Sequence, residues 1–392
     1  MAITETPKVK YYEGDSNPSL SGEGGQIPII IGITNNSNPK TGIQKFKNYS
    51  ACNATVANGG LGTDTATNPL LAFLKEFFEE NKKINSDDLS VPYVYVVDLG
   101  TGVTTTGEGA NATSTLTTSA WTNAMALAKS KREVQAEIFV GFEKSHGIAN
   151  IIGLLDSAAE KIKDDSEDGN PRIAYFTIKD CTDAELKEIA DDTKTNYIQN
   201  SRVGLAEYKL FGKTCANILN TPYYEEPGYS DYRSVTPGIF TERTPEEENE
   251  LQAAGVIFNH DERAGSEIHP KINLAVSTAF GASADSRPND ALLHARRNVD
   301  QLIREAYMVL YSQLKNNETE NNINYLQADL DVLVNSKIRA GEMMDGTEIN
   351  VTEDEVNPYD LHAQGVAVPV NSTLLIGFSM YIEQPNAISG GA

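Results

Sequence analysis

The chain is short of the residues that build most recognisable chemical sites. Its 392 residues include 3 cysteines, 5 histidines and 1 tryptophan. Cys52, Cys181 and Cys215 lie far apart with no paired spacing, which argues against both a disulfide framework and a structural zinc site. His260-Asp261-Glu262 followed by His269 is the one cluster resembling metal ligands, and it lacks the His-x-x-x-His or Glu-x-x-His spacing of a helical metal site. His294 falls on the polar flank of a long helical pattern, while His146 and His362 have no acidic partner at helical spacing. Basic residues are also scarce: 32 Lys and Arg face 55 Asp and Glu, a formal charge of −23. A phosphate backbone and an anionic membrane surface both call for clustered positive charge, so nucleic acid and membrane are excluded as partners of the whole surface. No apolar run approaches the ~20 residues that span a bilayer. Met1–Pro7 lacks the basic start and apolar core of a signal peptide, so the expectation is a protein assembled in the cytoplasm.

Catalytic motifs are missing as well. Gly-x-Ser-x-Gly and Gly-Lys-Thr/Ser are absent. Gly100-Thr101-Gly102 follows an apolar strand but has no third glycine and no helix directly after it, so it offers phosphate no helix N-terminus. Gly59-Gly60-Leu61-Gly62 follows loop. Carboxylate pairs such as Glu246–Glu248 and Asp164–Asp168 read as solvated faces in so acidic a chain. No catalytic residue, metal ligand or cofactor is assigned. The expectation is that the chain is not an enzyme, with a soluble α/β enzyme of unrecognised type as the rival.

What is present is a regular alternation. Ile27–Thr34 reads as a strand buried on both faces, and residues 35–67 as irregular loop. Asn68–Lys82 reads as a helix, with Asn68 as cap and Pro69 in its first turn. Strands are expected at Val91–Leu99, Glu137–Gly141, Pro171–Ile178 and Arg202–Tyr208. Helices are expected at Ser119–Arg132, His146–Lys163, Asp183–Lys194 and Gly212–Asn220, with surface loops at 100–118 and 163–170. Phe258–Arg263 and Lys271–Thr278 are candidate strands. This predicts an α/β fold (α+β overall): a three-layer α/β body over 26–285, open as one domain or two with an insertion near 100–200. Residues 1–25, polar and rich in serine and glycine, form an extended arm, and 385–392 a flexible tail.

Residues 286–384 read as a separate module. A helix opens at Arg287-Pro288-Asn289-Asp290, with Leu292, Ala295, Val299, Leu302, Ile303, Ala306, Leu310 and Leu314 on one stripe. A second helix buries Ile323, Leu326, Leu330, Leu333, Val334 and Ile338 and stops at Gly341. Strands follow at Glu348–Thr352, Gly365–Val370 and Leu374–Ile382, the last alternating cleanly.

That order of elements resembles the C-terminal domain of contractile-tail sheath proteins of phages, R-type bacteriocins and related injection systems. Phe240-Thr241-Glu242-Arg243-Thr244-Pro245-Glu246-Glu247-Glu248-Asn249-Glu250-Leu251-Gln252-Ala253-Ala254-Gly255-Val256-Ile257 is similar to the family segment that precedes a strand and the long helix. The resemblance covers roughly residues 200–382. It implies a structural subunit that polymerises as stacked rings, commonly sixfold, around an inner tube protein and contracts to drive the tube through a target envelope. Baseplate and terminator proteins are further implied partners. The particle would be a virion tail or a contractile device inside or outside the cell. Terminal strands would join neighbouring subunits' sheets through Ile3, Val9, Tyr11, Tyr12, Val366, Val368, Leu374, Ile376, Phe378, Met380 and Ile382. Ser16–Gly25 and Asp354–Gln364 would act as hinges. Tube contacts are expected on a charged helix face, either Arg296, Arg297, Asp300 and Arg304 or Asp329, Asp331, Lys337 and Arg339. A different self-assembling shell or surface-layer protein is the remaining alternative.

Overall fold

A computed structural model of the chain describes residues 25–82, 90–106, 113–167, 169–229, 241–264, 267–282, 291–313, 320–353 and 361–370. The chain enters the core with β1 (Ile27–Gly32), in which Ile29, Ile30 and Ile31 are all buried. A strand covered on both faces needs apolar residues at every position, not at alternate ones. After β2 (Ile43–Phe46) and the short α1 (Tyr49–Cys52) comes α2 (Pro69–Asn81). Asn68 caps α2 by accepting the Leu71 N–H at 2.8 Å, and Pro69 occupies the first position, where a missing N–H costs nothing. There follow β3 (Val94–Asp98), a hairpin of β4 (Val103–Thr106) and β5 (Thr113–Leu116), α3 (Thr118–Ala128), β6 (Val134–Val140) and α4 (Ile148–Glu167). Then come β7 (Ile173–Phe176), α5 (Asp183–Ile189), β8 (Val203–Ala206), α6 (Phe211–Asn220), α7 (Pro245–Ala253) and β9 (Val256–Ile257). The chain continues through β10 (Asn259–Ala264), β11 (Glu267–Ile272), α8 (Leu293–Gln313), α9 (Glu320–Arg339), β12 (Glu348–Glu353) and β13 (Leu361–Val366).

Seven strands make the central sheet, in the order β2-β3-β1-β6-β7-β8-β9. All pair in parallel except β2, which runs antiparallel along the edge of β3. One face packs Leu70, Leu74 and Phe77 of α2, Cys215 and Leu219 of α6, and Leu293 of α8 against Ile30, Val96, Ile138 and Tyr175. The other packs α3, α4, α5 and α7 around Ile29, Ile31, Phe139 and Phe176. Trp121 is buried there against Phe142, ring centroids 4.7 Å apart, and its indole N–H donates to the Gly102 carbonyl at 3.2 Å. The sheet is thus sandwiched between two helical layers, as the alternating pattern predicts.

The motif at 240–257 has a local physical logic. The Thr244 hydroxyl accepts the Glu247 N–H while the Glu247 carboxylate accepts the Thr244 N–H at 2.8 Å, a reciprocal cap on α7. Gly255, at φ +83, turns the chain out of α7 into β9. Arg243 lies against the Phe258 ring and bonds Asp183 through Nε at 2.7 Å and Glu207 through Nη2 at 2.9 Å, tying the segment to α5 and β8.

Several boundaries differ from expectation. Residues 35–67 contain β2 and α1, and 100–118 contains the β4–β5 hairpin. Its first strand is largely exposed and the hairpin is threonine-rich, held by hydroxyl pairs such as Thr105 with Ser114 at 3.1 Å, so it lacks the apolar alternation that marks a strand. α4 runs on through 163–167, because Asp165 is drawn inward by Arg172. β13 lies four residues upstream of the expected Gly365–Val370, so Leu361–Gln364, assigned above to a hinge, is paired strand. The pairing with β12 ends at Val366, before the alternating Val368 and Val370.

Candidate functional site

The carboxyl ends of β1 and β3 are where an α/β fold would hold a phosphate, at the N-terminus of the next helix. Here the first turn of α2 has no free donor to offer. Pro69 has no N–H, Leu70 N–H donates to the Ile33 carbonyl at 3.0 Å, and Leu71 N–H is taken by Asn68. The Gly100 N–H bonds the Asp98 carboxylate at 2.8 Å, and Gly100-Thr101-Gly102 leads into the β4–β5 hairpin, not into a helix. The thiols are equally unsuited to nucleophilic work. Burial pushes Cys52 up to about 12 and Cys181 up to about 11, and raises Cys215 well above its ordinary value. Among the described residues no three His, Cys, Asp or Glu side chains converge as a metal site. No described helix is long and apolar enough to cross a membrane.

The distinctive geometry is at the other end of the chain. α8 starts inside the body core, through Leu293 and Ala295, and ends in a small core of its own. There Ala306, Leu326 and Leu330 are buried with Val309, Leu310, Leu333, Ile349 and Val351 packed against them. Between these cores α8 lies along the amino ends of the parallel strands and bonds them through arginine. Arg304 donates to the carbonyls of Arg132 at 2.8 Å and Val134 at 2.7 Å, and to that of Pro171. Asp300 accepts from Arg202 at 2.9 Å and from Arg296 Nε at 2.9 Å. Arg297 donates to the Gln26 side chain at 3.3 Å and to the Thr221 carbonyl. His294 and Glu226, both fully buried, bond at 2.7 Å. The polar flank of α8 is therefore an internal seam.

α9 is held by a latch at its end. Lys337 contacts Glu305 of α8 at 2.9 Å, Glu342 at 2.8 Å and the Tyr223 hydroxyl at 2.7 Å. Burial alone would pull the Lys337 ammonium down; its bonds to Glu342 and Glu305 outweigh that and hold its pKa above the ordinary lysine value. Farther along α9, the Gln327 side chain donates to the Ile349 carbonyl at 2.8 Å and accepts the Val351 N–H at 2.9 Å. It thereby occupies the outer edge of β12 as a neighbouring strand would. In antiparallel pairing alternate residues face alternate edges, so β13 turns Ala363 and Gly365 away from β12. Both are exposed. Among the described residues that edge of β13 has no strand beside it. The outward face of α9 carries Tyr325 and Val332, 67% and 69% exposed, with Asp329 and Arg339 at helical spacing between and beyond them.

No family profile matches the chain, and no curated protein sequence does. Solved structures do match. The sheath of the anti-feeding prophage, in its contracted state, superposes over 97% of this chain and 99% of its own, with a TM-score of 0.63 at 12% identity. This chain has the sheath-protein fold. A sheath tail protein from Listeria innocua gives a TM-score of 0.58 at 9% identity, covering 89% of this chain and 93% of its own. One from Desulfitobacterium hafniense gives 0.55 at 12%, covering 92% and 100%.

Within the sheath fold the expected site residues separate into three groups. Ile3, Val9, Tyr11, Tyr12, Leu374, Ile376, Phe378, Met380 and Ile382, with the Ser16–Gly25 hinge up to residue 24, lie outside the described residues. The reading of Arg296, Arg297, Asp300 and Arg304 as an outward charged face is corrected. Arg297 and Asp300 are 4% and 6% exposed, and all four bond groups within the chain. Lys337 is likewise engaged in its latch, whereas Asp329, Asp331 and Arg339 are exposed on α9. Val366 is 55% exposed, but the alternation turns its main chain toward β12. Val368 is committed in-chain, its N–H to the Thr347 hydroxyl at 3.0 Å and its carbonyl to Met344 N–H at 2.9 Å. Ala363, Gly365 and Gln327 were missed. Their signal is a pairing register, which no side-chain pattern carries.

Proposed function

We propose that this chain is the repeating subunit of a contractile sheath. The supporting observation is an end-to-end match in fold to a sheath protein, 97% of one chain on 99% of the other, from the sheet to the terminal module. In this reading subunits stack as sixfold rings around an inner tube, between a baseplate and a terminator. Contraction of the lattice then drives the tube through an envelope without nucleotide.

The open edge of β13 is the joint between subunits. A strand from a neighbour adds there through the main chain of Ala363 and Gly365, and Gln327 keeps it off β12. Strands from within residues 3–12 and from 374–382 would add there, with hinges in 16–25 and 354–360. Asp329, Asp331 and Arg339, around Tyr325 and Val332, face the tube, through contacts weak enough to release. The particle is a virion tail or an injection device built in the cytoplasm.

The test is electron microscopy of the concentrated protein with and without its tube, comparing wild type with Ala363→Pro. Proline removes an N–H that faces away from β12 and leaves the hairpin ladder intact. Wild type should form cylinders of uniform width, and the variant should stay monomeric with unchanged thermal stability. Cylinders of normal length from the variant would refute the assigned edge. A wild-type chain that forms flat sheets or closed shells would refute the sheath.

A further inference from the structure

Where α8 crosses the amino ends of β6 and β7, a cavity of about 10 Å³ is walled by Gln26, Gln135, Arg297, Asp300, Gln301 and Arg304. That is room for one water-sized occupant. What distinguishes it is its polarity. Several of the wall's oxygens already accept: Asp300 from Arg202 and Arg296, Gln26 from Arg297 at 3.3 Å, Gln301 from Gln135 at 3.4 Å, and the bordering Pro171 carbonyl from Arg304. Its donors are in excess. Arg297 is buried, yet its Nη1 has no partner. Arg304 meets three carbonyls and no carboxylate. Glu226, an acid near Arg297, is already held by His294 at 2.7 Å and by the N–H groups of Ala275 at 2.8 Å and Gly228 at 3.1 Å.

A water in such a site must donate as well as accept, whereas an anion only accepts, and the unpartnered group at this wall is the donor Arg297 Nη1. Two guanidinium groups border the cavity against one carboxylate that is itself shared between two further arginines. Positive charge held away from water and only partly offset by neighbouring carboxylates is costly, and a small anion would complete the balance. Burial pulls the Arg304 guanidinium down to about 9, with Asp300 opposing and the nearby Arg172, Arg202 and Arg132 adding to the fall, which is the field an anion would relieve. We propose that this cavity is a structural site for one halide-sized monovalent anion, in effect chloride, which locks α8 onto the base of the sheet.

The test compares thermal unfolding of the full chain in sodium chloride, sodium bromide and sodium gluconate at equal ionic strength. Gluconate is too large to enter. The expected result is a midpoint higher by ~2 °C or more in either halide, rising with halide concentration as a bound ligand requires. Arg297→Met should abolish that difference. If it does not fold, Gln135→Leu, at a half-buried wall position, should shrink the difference instead. Equal midpoints in halide and gluconate would overturn the proposal, as would a halide effect of undiminished size in whichever variant folds. Crystals grown in bromide give an independent answer. An anomalous peak beside Arg297 supports the site, and water-like density without one overturns it.

Discussion

Arg304 offers the sharpest test of how α8 is fixed. Its guanidinium spans the carbonyls of Arg132, Val134 and Pro171, which belong to the approaches to β6 and β7. A hydrogen bond to a charged group contributes ~1.5–3 kcal/mol net, and losing it strands the carbonyl that received it. Three such bonds set a gross scale of about 5–9 kcal/mol. Releasing a partly buried charge from its desolvation recovers part of that, so Arg304→Met should cost about 3–5 kcal/mol. Arg304→Lys is the discriminating companion. It keeps the charge, but an ammonium is a compact point charge that cannot span three carbonyls as the planar fork does, so it should cost nearly as much. Urea unfolding of monomeric protein, at unchanged m-value, reads both. Amide exchange should quicken selectively at the amino ends of β6 and β7. If both variants lose less than ~1 kcal/mol, the three carbonyl contacts are not what holds the helix.

Gln327→Leu exposes the outer edge of β12 by leaving the Ile349 carbonyl and Val351 N–H without partners. It should cost about 1–3 kcal/mol, seen first as faster exchange at Val351, and should permit off-register aggregation. Lys337 has a raised pKa, so its stabilising contribution is complete below the ordinary lysine value of ~10.4 and fades as pH climbs through the folded-state value. The stability gap between wild type and Lys337→Met should therefore be constant from pH 7 to about 10 and close above it; a gap unchanged at higher pH would contradict the latch. Gly212→Ala places a methyl 2.5 Å from the Phe73 carbonyl where α6 crosses α2, and should lower stability by about 1–3 kcal/mol without altering assembly at β13.

Much of the body could be read from residue pattern because its signals are local. Three consecutive isoleucines announce a doubly covered strand, Asn68-Pro69 a helix start, and Thr244 with Glu247 a capping box. Elements defined by a partner were harder. β2 needs β3 beside it, and the β4–β5 hairpin relies on threonine hydroxyls, not on apolar alternation. Charge misled most on α8. Arg296, Arg297, Asp300 and Arg304 have the spacing of a solvated face, but sequence cannot say that the amino ends of the strands offer bare carbonyls for those arginines to meet. Gln327 illustrates the same limit: its worth lies in matching the spacing of a strand's outer edge, and composition holds no trace of that.

One continuous helix joins two cores of very different size. The upper end of α8 sits in a module whose fully enclosed side chains are few, and its lower end is bolted to the base of the seven-stranded sheet. In the proposed lattice, tension applied at β13 would pass through this smaller core into α8, and from α8 through its arginine bonds into the strand roots. On that proposal the smaller core would be the mechanical fuse of the molecule. Overloaded, the subunit should shed its terminal hairpin and recover, with the sandwiched sheet untouched.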